Sequence, residues 1–214
     1  MNFSERIYAP GPTPVPESAR LTLAETNTYH RTDVFSEVIE DVSGGLADLL
    51  DVDWPVLPLA ASGTGAMQAA VNNTVSSAET AFVIESGKFG ERWSRMLRER
   101  GAQVVTHEVP WGESLDPAAV REALGEHPEV DVVFSTLVET STLVRHPIEE
   151  LGNLLDEDHL LVVDAISGFV AESFSPEEAS ADLVVLGGQK GLMAPPGIAA
   201  VAVSPRVLER SRSL

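Results

Sequence analysis

The stretch Ala181-Asp182-Leu183-Val184-Val185-Leu186-Gly187-Gly188-Gln189-Lys190-Gly191-Leu192 decides how the chain is read. Leu183 to Leu186 is an apolar run that fits a buried strand. Two glycines break it, a lysine follows, and Ala194-Pro195-Pro196-Gly197 stands behind. The sequence contains only two lysines, Lys88 and Lys190. A lysine set straight after a buried strand, beside backbone that only glycine and proline can shape, is a poor solubilising charge. Desolvation can strip its proton and leave a nucleophilic amine, the state that forms a Schiff base. The alternative is a loop lysine whose head stays in water.

Working outward, the same pattern recurs. Val56–Ala60, Thr80–Glu85, Gln103–Glu108, Val130–Thr136, Leu160–Asp164 and Ile198–Val203 read as further strands. Between them lie helical patterns: 34–50 with Asp33 as N-cap, a small-residue helix through Asn73, Glu91–Arg100, Asp116-Pro117 to Leu124, and Pro147–Leu155. A short helical piece is expected from Glu17, and a last helix from Pro205 to Leu214. Apolar strands alternating with helices predict an α/β fold of three layers with a mostly parallel central sheet. Ligands of such sheets collect at the carboxyl ends of the strands. The proline-rich start, Ala9-Pro10-Gly11-Pro12-Thr13-Pro14-Val15-Pro16, should run extended as an uncharged arm on a surface.

Composition narrows the function. With 214 residues, 43% of them hydrophobic, the chain suits one sizeable domain or two small ones. No apolar run is long enough to span a bilayer and no signal peptide opens the chain, so a cytoplasmic protein is expected. The absence of cysteine excludes thiolate metal sites and cysteine nucleophiles, and no metal is expected. A net charge of −19 is the wrong sign for a nucleic-acid binder. It fits a solvated acidic surface, whether salt-adapted or merely very soluble.

Three features fall at predicted strand ends. Ser62-Gly63-Thr64-Gly65 precedes a helix, and its glycines, hydroxyls and helix N-terminus outline a phosphate cradle. An ordinary Ser-capped turn is the alternative. Asp164 ends an apolar strand, where a carboxylate needs a cationic partner unless it merely caps the next turn. Lys190 is the third. Together they meet the needs of pyridoxal 5'-phosphate: a phosphate to anchor, a pyridine nitrogen to keep protonated, and an aldehyde to trap. Phe89, in the turn after a strand, could stack on the ring or be a core aromatic.

At this point the sequence resembles the large domain of class V, fold-type I, pyridoxal-phosphate aminotransferases of the alanine–glyoxylate/serine–pyruvate group. The residues that carry the resemblance, in order, are 10–16, His30-Arg31, 62–67, 87–93, Glu139-Thr140-Ser141-Thr142, Val163-Asp164-Ala165, and Gly188-Gln189-Lys190 with Pro195-Pro196-Gly197. The resemblance implies that Ser62, Gly63, Thr64 and Gln189 hold phosphate and that Phe89 stacks on the ring. It implies that Thr140 bonds near the ring oxygen, Asp164 pairs with the ring nitrogen, Ile166 packs under the ring, and Lys190 is the Schiff-base lysine. Lys190 and Asp164 are then the catalytic pair.

The implied activity is transfer of an amino group from alanine or serine to glyoxylate or pyruvate, in a homodimer against which the arm packs. The implied division is an arm over 1–20, a cofactor-binding domain over 21–204, and, over 205–214, the start of a helix leading to a C-terminal domain the sequence does not include. Leu143 and Ile166-Ser167-Gly168-Phe169-Val170-Ala171 depart from the family pattern, which bears on substrate fit. Length suggests the rival reading: an incomplete remnant, or half of a split enzyme whose second chain supplies the C-terminal domain. Another class V reaction, a lyase or an aminophosphonate transaminase, is a further alternative, while the lack of cysteine argues against a desulfurase.

Overall fold

The structure, a computed structural model, describes residues 8–214. In chain order the elements are α1 (Glu17–Thr22), α2 (Asp33–Leu50), β1 (Val56–Leu59), α3 (Gly63–Thr74), β2 (Thr80–Glu85), α4 (Lys88–Arg100), β3 (Gln103–Glu108) and α5 (Pro117–Leu124). They continue with β4 (Val130–Thr136), β5 (Val138–Glu139), β6 (Val144–Arg145), α6 (Ile148–Gly152), β7 (Leu160–Asp164), β8 (Leu183–Gly187), β9 (Ala199–Val203) and α7 (Pro205–Ser211).

Seven strands form one sheet in the order β1-β9-β8-β7-β4-β2-β3. The run β8-β7-β4-β2-β3 is parallel throughout. Strand β9 runs against both its neighbours, β8 and β1. The carboxyl ends of β1, β2, β4, β7 and β8 therefore share one edge of the sheet. Every residue of β7, β8 and β9 is buried, which is why these segments read as continuous apolar runs rather than alternating ones.

Helices cover both faces. On one, Met67, Val71, Trp93 and Leu97 of α3 and α4 pack on Val83, Phe134, Val162 and Val185. On the other, Val120, Ile148 and Leu151 of α5 and α6 pack on Val133, Leu161, Val163 and Val184. Three layers result, as the alternation of patterns predicts.

The ends of several elements differ from the sequence reading. Thr32, not Asp33, caps α2: its Oγ1 accepts from the Phe35 N–H at 3.3 Å. Asp33 is the first helical residue, where its charge favours the helix dipole. Helix α4 begins at Lys88, three residues before the expected Glu91, because a distant carboxylate satisfies its first N–H groups. Helix α6 stops at Gly152 rather than Leu155, and α7 at Ser211 rather than Leu214. The two-residue ladder of β5 and β6 was too short to show as a pattern. Helix α2 follows its amphipathic pattern, yet Val34, Val38, Ile39, Val42 and Leu49 are exposed and only Leu50 is buried.

The proline-rich arm lies across the turn after β8. The Thr13 N–H donates to the Gln189 carbonyl oxygen at 2.9 Å, and the Thr13 hydroxyl to the Lys190 carbonyl oxygen at 2.8 Å.

Candidate active site

Lys190 sits on the reversal between β8 and β9. The turn is fixed by the Gly188 N–H, which donates to the Ile198 carbonyl oxygen at 3.0 Å, and by the Ala194 N–H, which donates to the Gly188 carbonyl oxygen at 2.8 Å. The side chain is half-buried, and its Nζ donates to the Pro10 carbonyl oxygen at 3.0 Å. A Cβ built on Gly11 would stand 2.8 Å from Lys190 Cδ, so the arm crosses the lysine where only glycine leaves room. Partial burial lowers the lysine's pKa, and the Asp164 carboxylate opposes that shift.

Asp164 closes β7 and is buried. The Ile166 N–H donates to its Oδ1 at 2.8 Å. Burial pushes its pKa up to about 6 despite that bond. The Glu139 charge pushes further in the same direction, and Arg92 and Lys190 pull against it. The charges of Glu139, Arg92 and Lys190 therefore all act on Asp164 at one edge of the sheet.

Ile166 rises between two glycines. A Cβ on Gly63 would stand 2.6 Å from Ile166 Cδ1, and one on Gly187 would stand 2.7 Å from Ile166 Cγ2. The start of α3, the end of β7 and the end of β8 thus converge on one side chain. Ser62 caps α3, accepting from the Gly65 N–H at 3.4 Å. The first N–H groups of α3 have no partner within the helix. Gln189 follows two residues after Gly187, and its buried Oε1 has no hydrogen-bond partner among the described residues.

Phe89 is neither core nor bare surface. It is half-buried in the first turn of α4, with the Arg92 guanidinium 4.5 Å from its ring centre. Arg92 also donates to Thr64 Oγ1 at 3.0 Å, tying α4 to the α3 cradle. The Thr140 hydroxyl lies 2.5 Å from that of Ser167, so the segments after β5 and β7 meet. Ser62, Gly63, Thr64, Phe89, Thr140, Asp164, Ile166, Gln189 and Lys190 all follow or end strands whose carboxyl ends share this edge. His30 and Arg31 are exposed ahead of α2.

Sequence reasoning gave no role to Arg92 or Glu139, although both fall inside the motifs quoted above. Glu139 is fully buried. Its Oε2 accepts from the Phe89 and Gly90 N–H groups at 3.0 and 3.2 Å. Its Oε1 accepts from the Ser141 N–H and hydroxyl at 3.0 and 2.6 Å. The available signal was an acid at the end of the apolar pair Leu137-Val138, with no cation beside it in sequence. His146 was also missed. It is buried, accepts at Nδ1 from the Leu115 N–H, and places Nε2 2.7 Å from the Ser86 hydroxyl. Burial lowers its pKa, with Glu139 opposing, which favours the neutral ring this pairing needs.

The chain is 38% identical over 213 residues to a Synechococcus sp. protein named the small subunit of soluble hydrogenase, covering 98% of this chain and 56% of that one. It is 33% identical to the L-aspartate–glyoxylate aminotransferase of Paracoccus denitrificans, covering 98% of this chain and 54% of that one. It superposes on the alanine–glyoxylate aminotransferase of Nostoc sp. with a TM-score of 0.93 at 26% identity, covering 100% of this chain and 58% of that one. The chain therefore spans about half the length of the curated relatives it matches. The sequence profile described as Aminotransferase class-V matches residues 19–214, and the chain belongs to that family.

Proposed function

We propose that this chain is the cofactor-binding part of a pyridoxal 5'-phosphate-dependent aminotransferase, moving an amino group from alanine or serine to glyoxylate or pyruvate. One observation carries the reading. A partly desolvated lysine, a buried carboxyl group and a helix N-terminus meet at one sheet edge, joined through Ile166 and the electrostatic coupling of Lys190 to Asp164.

The residues fit the group. Gly63 and Gly187 carry no side chain where Ile166 rises, which leaves Ile166 room to pack between α3 and β8, where it would lie under a flat ring. The N–H groups at the start of α3 and the side-chain amide of Gln189 can donate to phosphate oxygens. Phe89, backed by Arg92, would cover the ring, and Thr140 would stand near its oxygen. When bound, pyridoxal phosphate supplies an aldehyde that condenses with amines and a ring that accepts electrons. Lys190 would supply the amine that holds the aldehyde and later moves the substrate Cα proton. Asp164 would keep the ring nitrogen protonated, which a cation against a desolvated carboxylate favours.

Residues 8–20 form the arm, residues 1–7 of the expected arm lying outside the described residues, 21–204 form the cofactor-binding domain, and 205–214 hold α7. A second copy covers the exposed apolar side of α2, making a homodimer. Among the described residues no helix is long and apolar enough to cross a membrane, and we place the protein in the cytoplasm. A second reading, in which turnover needs a further polypeptide, follows from the share of the relatives' length that the chain covers.

With two lysines in the chain, the test is simple. Pyridoxal phosphate is added, borohydride reduces any adduct, and peptide mass spectrometry locates it. The expected product is phosphopyridoxyl-Lys190. A product on Lys88, or none, rejects the reading. Turnover of alanine or serine with glyoxylate by this chain alone rejects the second reading. Sedimentation as a monomer at micromolar concentration rejects the homodimer.

A further inference from the structure

Glu139 is a buried carboxylate that, among the described residues, faces no cation in a hydrogen bond. Its four acceptances come from two separate segments. Oε2 holds the first turn of α4, where Phe89 and Gly90 offer N–H groups that no residue of their own helix can satisfy. Oε1 holds Ser141, the residue after Thr140. Ser141 closes the loop, since its Oγ accepts from the Lys88 N–H at 3.1 Å. The residue before α4 is glycine, and a Cβ there would stand 2.6 Å from Glu139 Cγ and 2.5 Å from Ser141 Oγ. Gly87, which caps α4 without a side-chain hydrogen bond, leaves the space that the carboxylate fills.

A helix start is usually capped by its own preceding residue. Here the cap comes from 50 residues away in sequence. A local cap would fix only the helix. This one fixes the distance between Phe89 and Thr140, the two residues that bound the ring in the reading above.

We propose that Glu139 is a positioning residue that sets the plane of the bound ring by holding Phe89 and Thr140 at one separation, an inference that rests on the pyridoxal phosphate reading. The same carboxylate lies close enough to Asp164 to raise that group's proton affinity, so it acts on both sides of the ring.

Glu139→Gln tests this. The amide keeps the volume but turns one acceptor oxygen into an NH2 group, so it must face N–H or O–H donors on one of its two sides. Three quantities are read on the full chain: amide hydrogen exchange at Phe89 and Gly90 without cofactor, the Kd for pyridoxal phosphate, and the visible circular dichroism of the bound cofactor. Expected are exchange faster by about tenfold, a Kd raised by about tenfold, and a dichroic band halved or inverted. Faster exchange with an unchanged Kd and band would show a helix cap only and overturn the inference. Unchanged exchange overturns it too.

Ser141→Ala removes one hydroxyl and keeps the carboxylate, so it serves if the glutamine variant does not fold. A band weakened in the same sense is expected, and an unaltered band overturns the inference. Failure of the unmodified chain to bind pyridoxal phosphate overturns the underlying reading and this inference together. Normal binding by the unmodified chain and by both variants overturns this inference alone.

Discussion

Asp164 accepts a hydrogen bond at Oδ1 from the main-chain N–H of Ile166, 2.8 Å away, and is otherwise sealed from water at the end of β7. One such bond does not offset the desolvation, so the folded chain holds a proton on this group up to about pH 6 against an ordinary 3.8.

Because the folded-state pKa is the higher one, the native state binds more protons than the unfolded state between these values. The contribution of this group to stability is fully present below about pH 4 and is lost as pH rises through about 6. The shift corresponds to about 3 kcal/mol. Cofactor-free Asp164→Asn is therefore expected to be more stable than the parent at pH 8, with the gap closing towards pH 4. Urea unfolding of both proteins across that range checks it, and a pH-independent gap counts against the burial argument.

The same substitution acts differently once cofactor is present. A neutral amide cannot hold a proton on the ring nitrogen. Loss of turnover by at least about tenfold is expected, with the borohydride-trapped adduct on Lys190 retained. Steady-state kinetics beside mass spectrometry separate the two effects. Full turnover in Asp164→Asn would make the acid structural.

Gly11→Ala probes the arm. Gly11 has φ +142, which side-chain-bearing residues rarely adopt, and its Cβ would press on Lys190 Cδ. The arm should lift and the lysine lose its contact with the Pro10 carbonyl oxygen. Slower adduct formation on Lys190 with an almost unchanged Tm is the expected result, since the arm contributes little to the core.

Gly187→Ala places a Cβ 2.7 Å from Ile166 Cγ2. Overpacking at such a site costs about 1–3 kcal/mol. Combined with Ile166→Ala, which vacates the space, most of that cost should vanish. A double-mutant cycle by urea unfolding measures the coupling, and strict additivity would contradict the contact.

Trp93→Ala tests the sheet layer behind the site. Trp93 is fully buried, packs on Phe134 at 5.1 Å between ring centres, and donates from Nε1 to the Ser135 carbonyl oxygen at 3.3 Å. A loss of about 3–5 kcal/mol is expected by chemical denaturation.

The fold was legible because β7, β8 and β9 are buried on both faces and so write uninterrupted apolar runs. The candidate site was legible where a residue or turn has few other uses, as with Lys190 and the Ser62–Gly65 turn. Glu139 and Arg92 were not. Glu139 caps a helix start 50 positions away and Arg92 bonds the Thr64 hydroxyl 28 positions away, and no local pattern encodes a contact across such separations. The cap of α2 was misplaced by one residue because Thr32 and Asp33 are both good caps and backbone geometry chose between them. The exposure of α2 had no sequence signal either, since its apolar stripe reads the same whether the covering surface belongs to this chain or to another.

Strand β9 pairs with β8 from Leu183↔Val203 through Gly187↔Ala199, so the lysine's main chain is stapled on both sides by an inner ladder of the sheet. The arm that meets its amine has only a few bonds at the protein's exterior. Warming should therefore unfasten the chain in two tempos. The amine is released first, at little energetic cost, while the residue that bears it stays in place until the whole domain melts.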